Sequence, residues 1–140
     1  MFFLELIYNS YSTATINGNN NIGGIAGYLH HNSFSSIENT VALNINVNTI
    51  DVNIARIWGR VITRYSAHNN HARSDMLING EPLPAGEGEH DNQHGADVAP
   101  EVFHNIDFWI DTMGWDFDEI WTWNYETNLP TLRVFQHDNL

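Results

Sequence analysis

The chain has no cysteine, no lysine and only four prolines and five arginines among its 140 residues. Without cysteine there is no disulfide scaffold, no zinc ribbon and no thiol nucleophile. Without lysine or a basic patch there is little to neutralise phosphate, which argues against nucleic acid as a direct partner. No apolar run approaches the ~20 residues that a membrane span needs. The opening Met1-Phe-Phe-Leu-Glu-Leu-Ile7 has neither a basic leader nor an apolar stretch long enough for a signal peptide. What the chain does have is acid: 17 carboxylate side chains give a formal net charge of −12. Apolar residues at 42% and aromatics at 12% are too many for a disordered chain. The length suits one domain able to bury roughly two-thirds of its unfolded surface.

The charge is uneven. Residues 1–80 hold Glu5, Glu38, Asp51 and Asp75 against Arg56, Arg60, Arg64 and Arg73, and so sum to zero. Residues 81–140 hold the other thirteen acids, Arg133 and four of the five tryptophans. Between them, 81–96 has the Pro, Gly and acidic composition of a loop. The organisation read from this is a repeat region over 1–80, an acidic loop over 81–96 and a C-terminal cap over 97–140, in one folding unit.

A repeat of about thirty residues runs through the first half. Ile22-Gly-Gly-Ile-Ala-Gly-Tyr-Leu29 aligns at an offset of 32 with Ile54-Ala-Arg-Ile-Trp-Gly-Arg-Val61, matching Ile22 to Ile54, Ile25 to Ile57, Gly27 to Gly59 and Leu29 to Val61. A second register sets Asn9-Ser-Tyr-Ser, Asn39-Thr-Val-Ala and Asn70-His-Ala-Arg in line. Each is followed by a short β-forming stretch, at 14–18, 43–48 and 76–80. Residues 41–54 alternate apolar and polar almost throughout, the period of a strand with one buried face. Strands at this spacing, punctuated by Gly and Asn, predict an all-β chain: a short parallel β-solenoid of two to three turns, with an antiparallel sandwich as the alternative. Gly23, Gly24 and Gly27 either turn corners at positive φ or let neighbouring turns approach closely. The repeated Asn tolerates the left-handed conformation.

These segments resemble the GLUG repeat of large bacterial surface and secreted proteins, including bacterial immunoglobulin A peptidases and adhesin-like proteins. The motif is Gly18-x3-Ile22-Gly-Gly-Ile-Ala-Gly-Tyr-Leu29 with Ile37-Glu-Asn-Thr-Val-Ala-Leu-Asn44, and the copy at 54–61 has Ala55 and Arg56 in place of the paired glycines. Gly114-Trp-Asp-Phe117 and Leu129-Pro-Thr-Leu-Arg133 resemble the segments that follow such repeats. The resemblance implies a solenoid module with a C-terminal cap, extracellular or on a cell surface, with protein or glycan partners. It implies no catalytic residues, because the peptidase chemistry belongs to another domain and this chain has no His-Glu-x-x-His.

The last third reads separately as a cap. Asp97-Val-Ala-Pro-Glu is a helix start. Val102, Ile106, Trp109 and Met113, widened by Phe103 and Ile110, predict an amphipathic helix over 100–113 with Asn105 a candidate break. Trp115, Phe117, Trp121 and Trp123 fall at strand spacing, and 129–135 closes with another strand. The structural cap is therefore Trp109, Trp115, Phe117, Trp121 and Trp123. At the other end, 1–7 enters partway through a repeat. That reads as a fragment of a larger protein, or as an open first strand available for self-association.

Candidate chemistry is thin. His90 and His94 with Glu87 and Glu89 lie in a Pro/Gly loop and read as solvated rather than metal-binding. His30-His31 reads the same way. Asp107, Asp111, Asp116, Asp118 and Glu119 form the candidate interaction surface. They lack EF-hand spacing, so only folding would bring them together around calcium. Asp116 and Glu119 are a formal acid–base pair for a glycoside, but such enzymes need a longer groove. The expectation is a non-catalytic surface module, spacer or adhesin-like, with no cofactor. The alternative is an acidic protein-binding module or nucleic-acid mimic acting through 81–140.

Overall fold

The computed structural model describes residues 4–29, 34–62 and 64–134. The structure is mostly strand, with sheets mostly parallel, and divides into two compact units, Met1–Val98 and Ala99–Leu140.

The first unit is three successive passes of chain. The first comprises β1 (Leu4–Tyr8), β2 (Tyr11–Ser12), β3 (Ile16–Gly18) and β4 (Ala26–Leu29). The second comprises β5 (Phe34–Glu38), β6 (Val41–Ala42), β7 (Asn46–Thr49) and β8 (Trp58–Val61). The third has β9 (Tyr65–His68), β10 (His71–Arg73) and β11 (Leu77–Ile78). Each strand pairs in parallel with its counterpart in the next pass. Leu4 lies opposite Phe34, Ile16 opposite Val47 and Ala26 opposite Trp58, offsets of 30, 31 and 32 residues. An isolated parallel bridge joins Ile22 to Ile54, and Leu29 pairs with Val61, as the repeat alignment predicts.

The third pass then departs from the repeat. β12 (Glu81–Pro82) folds back antiparallel on β11, and β13 (Ala96–Val98) adds in parallel to β10. Leu29, Ile37, Ala42, Val47, Ile57, Trp58, Ala72 and Met76 form the buried core between the passes.

Two local devices set this geometry. Asn9, Asn39 and Asn69 all have positive φ, near 50°, the left-handed turn that asparagine tolerates better than most residues with a side chain. They stack: the Asn39 amide N–H donates to the His68 carbonyl at 3.1 Å, and Asn69 Nδ2 donates to Asn39 Oδ1 at 3.0 Å. The second device is glycine used for close approach. Neither Gly23 nor Gly59 has positive φ. A Cβ on Gly59 would strike the backbone of Asn21 and Ile22, and one on Gly23 the backbone of Ile57 and Trp58.

The structure corrects the sequence-based expectation at two points in this unit. The third member of the asparagine register is Asn69, not Asn70, since Val41 pairs with His71 at an offset of 30. Asn70 is instead fully buried and ties two passes together. Its Oδ1 accepts from Thr40 N–H and Oγ1, and its Nδ2 donates to the Ile37 carbonyl at 2.8 Å. The alternating stretch 41–54 is not one strand but breaks between β6 and β7. There Asn44 turns inward and donates to Ser12 Oγ and the Ala14 carbonyl, leaving Ile45 exposed. Beyond β7, Ile50 and Val52 are almost fully exposed, so the alternation continues where no packing partner exists. His30 and His31 lie outside the described residues.

The second unit contains α1 (Pro100–Phe103), a π-helical turn (Phe108–Thr112) and a hairpin of β14 (Trp121–Asn124) with β15 (Leu129–Leu132). The expected single helix is thus two short pieces. Asn105 separates them, its Oδ1 accepting the Asp107 N–H at 3.0 Å in place of a helical carbonyl. The change of pitch alters the buried stripe: Phe103, Phe108, Trp109 and Met113 are buried, while Val102 and Ile110 are exposed. Trp115 and Phe117 precede the hairpin rather than sitting on a strand. Among the described residues, no helix is long and apolar enough to cross a membrane.

Candidate interaction surface

The tryptophans of the second unit form a column. Trp109 and Trp115 have ring centroids 4.6 Å apart, and Trp115 stacks on Trp121 at 4.3 Å with a 23° interplanar angle. The Trp109 indole N–H donates to the Phe103 carbonyl at 2.8 Å. All three rings are buried, so they are core rather than a sugar-stacking platform. Phe117 and Trp123 are partly exposed. The Arg133 guanidinium donates to the Phe117 carbonyl, holding the segment before the hairpin against its far strand.

Over this core the five candidate acids fall into two groups. Asp116, Asp118 and Glu119 line a shallow depression of about 460 Å³ with Ile110, Trp115 and Phe117. Asp107 and Asp111, with Glu101, line another of about 340 Å³. All five are exposed. Asp116 also shapes the local backbone. Its Oδ1 accepts the N–H groups of Asp118 and Glu119 at 2.9 and 2.8 Å, closing the turn into β14. Among the described residues no group of three or more His, Asp or Glu side chains is assembled to hold a metal ion. The arrangement offers a negatively charged, shallow, partly apolar surface.

The other concentration of ionisable groups is the loop before β13, where Glu87, Glu89, His90 and Asp91 are exposed while the backbone is tied down at several points. His90 packs edge-on against His68 at 5.1 Å, its Nδ1 accepts the Asn69 N–H, and its carbonyl accepts that of Asn70. The Gln93 carbonyl accepts the Ile57 N–H at 2.9 Å. Beneath lies Arg56, fully buried, which in the sequence stands out only as a departure from the glycine pair. Its guanidinium donates to the carbonyls of His94 and Gly95 at 2.8 and 2.6 Å and to the Asp97 carboxylate at 2.7 Å. The available signal was an arginine at an inward position of the repeat, where a charge needs a partner.

Burial holds the imidazoles of His71 and His94 below their ordinary value of 6.5; the charge of His90 adds to this at His71 and that of Arg56 at His94. A lowered histidine pKa means that the unfolded chain binds more protons than the folded one just below 6.5. Stability should therefore fall as the pH is lowered through that value. Unfolding midpoints measured from about pH 7.5 to about pH 5.5, above the carboxylate range, should decrease, and His94→Gln should flatten the slope. A midpoint that rises over this window would contradict the assignment.

Compared with known proteins, the chain matches no family model, no curated protein and no solved structure.

Proposed function

We propose that the chain is a GLUG-like parallel β-solenoid module of a bacterial surface or secreted protein, non-catalytic, which extends a larger assembly and presents a binding face to protein or glycan. The observation that carries this reading is the set of parallel ladders at offsets of 30 to 32 residues, each pass laid on the last. A stack of that kind grows by whole passes and suits a spacer. The shallow acidic depressions offer a binding face.

The test is to lengthen the stack. A second copy of residues 34–63 inserted before Arg64 should fold cooperatively and lengthen the particle by about 4.8 Å, one inter-strand spacing, in solution scattering. An insertion that aggregates, or folds without lengthening, would sink the solenoid reading. A second reading, an acidic module for basic proteins, is favoured by Asp107, Asp111, Asp116, Asp118 and Glu119 all being exposed. It requires binding to a basic protein that collapses between about 0.05 and about 0.5 M salt, whereas the first reading expects glycan or glycoprotein binding that persists.

A further inference from the structure

After β11 the chain leaves the repeat, and its return closes only part of the stack. β13 closes β10 and β12 closes β11, whereas β8 and β9 are each outermost in their sheets, with no strand beyond them among the described residues. The returning loop stops at both margins of that opening. On one side the Gln93 carbonyl accepts the Ile57 N–H at 2.9 Å, just before β8. On the other the His90 carbonyl accepts the Asn70 N–H at 3.0 Å, just after β9. Between these two contacts Arg60, Ile62, Arg64 and Tyr65 are exposed. The charge of this stretch is also unlike that of the rest of the chain. Residues 52–74 hold four of the five arginines, and all 17 acids lie outside them. Arg56 is paired with Asp97 and Arg73 with Asp75, but Arg60 and Arg64 take no carboxylate among the described residues. The Arg60 guanidinium lies 5.7 Å from the centroid of the Tyr28 ring, its neighbour across the β4–β8 ladder.

We propose that β8 is a docking edge for an extended acidic segment of a partner protein. The segment adds to the sheet as a further strand and sets its carboxylates against Arg60 and Arg64. Backbone pairing along the open strand supplies affinity, and the two guanidinium groups select the acidic side chains. The inference rests on the reading of the chain as a binding module, and it places the partner apart from the acidic surface. Charge decides between the occupants. A second copy presenting the same edge would bring its own Arg60 and Arg64 to the same place, and charges on an open strand are the usual guard against such self-pairing. A basic partner meets the same repulsion. An acidic glycan satisfies the arginines but has no peptide backbone to continue the ladder, so it leaves the β8 edge unpaired.

The probe is a fluorescent peptide of about eight residues alternating aspartate and valine, titrated with the full chain at about 0.15 M salt, where exposed charges more than ~8 Å apart are screened. Fluorescence anisotropy should give a dissociation constant of about 0.1 mM or tighter. The double variant Arg60→Glu with Arg64→Glu, altered at two exposed positions, should weaken binding at least about tenfold and take up the lysine–valine counterpart instead. Methylating alternate backbone nitrogens of the peptide should abolish binding, because the methylated edge no longer donates to a strand. The proposal is overturned if the wild type binds no acidic peptide, or binds the methylated or the lysine–valine peptide equally well. It is also overturned if a galacturonate oligomer binds where the peptide does not. These wild-type comparisons decide even if the double variant fails to fold. A stack that lengthens on insertion while the peptide stays unbound sinks the docking edge alone, and the reverse result sinks the solenoid alone.

Discussion

Arg56→Ala should destabilise the first unit by about 3–5 kcal/mol, a large share of the stability of a domain this size. The substitution removes a fully buried side chain and three hydrogen bonds at once. It leaves the His94 and Gly95 carbonyls without their donor and opens a cavity beneath the loop before β13. Asp97→Ala should be markedly milder. The Asp97 side chain is 56% exposed, and the guanidinium keeps two carbonyl partners when the carboxylate goes. Arg56→Met should fall between them, restoring volume but not donors. Denaturant midpoints for the three variants check the order. An Arg56→Ala loss below about 1 kcal/mol would mean that water replaces the guanidinium at no cost, against its complete burial.

Trp109→Ala is the counterpart in the second unit, with an expected loss of about 3–5 kcal/mol. Trp109 is fully buried, packs on both Phe108 and Trp115, and satisfies the Phe103 carbonyl through its indole N–H. A unit of only some forty residues has little core in reserve, so its unfolding midpoint should collapse. Trp109→Phe keeps a ring and loses the donor, and should cost about 1 kcal/mol plus the lost ring area. Tryptophan fluorescence and near-ultraviolet circular dichroism report the Trp115–Trp121 stack directly. If both survive Trp109→Ala unchanged, the column is held by something other than its own packing.

The repeat was legible in the first half because parallel pairing places like residues over like. Ile22 over Ile54 and Leu29 over Val61 are readable as text because each apolar position fills the same place in successive passes. The asparagine register was harder. Two asparagines stand side by side at 69 and 70, one for the left-handed turn and one for a buried cross-link, and only the pairing of Val41 with His71 distinguishes them. The glycines pointed to either turning or crowding, and the φ values select crowding at Gly23 and Gly59.

The acidic surface shows the same division. Charge and position were readable, but the separation of Asp107 and Asp111 from Asp116, Asp118 and Glu119 depends on two backbone events. One is the break at Asn105, and the other is the turn that Asp116 closes with its own carboxylate. A 3.6-residue period assumes unbroken pitch, so it assigned Val102 and Ile110 to one buried stripe, whereas in the two short helical pieces it is Phe103, Phe108 and Trp109 that are buried.

Composition and spacing were thus sufficient for the β class, the thirty-residue period, the neutral and acidic halves, and the aromatic core near the C-terminus. These are local or periodic properties, set by side-chain size, charge and backbone preference at each position. The Arg56 clamp and the inward Asn44 and Asn70 were not. Each depends on which distant segment comes to lie against a given side chain, and partners 30 to 41 residues apart in the chain leave no local mark.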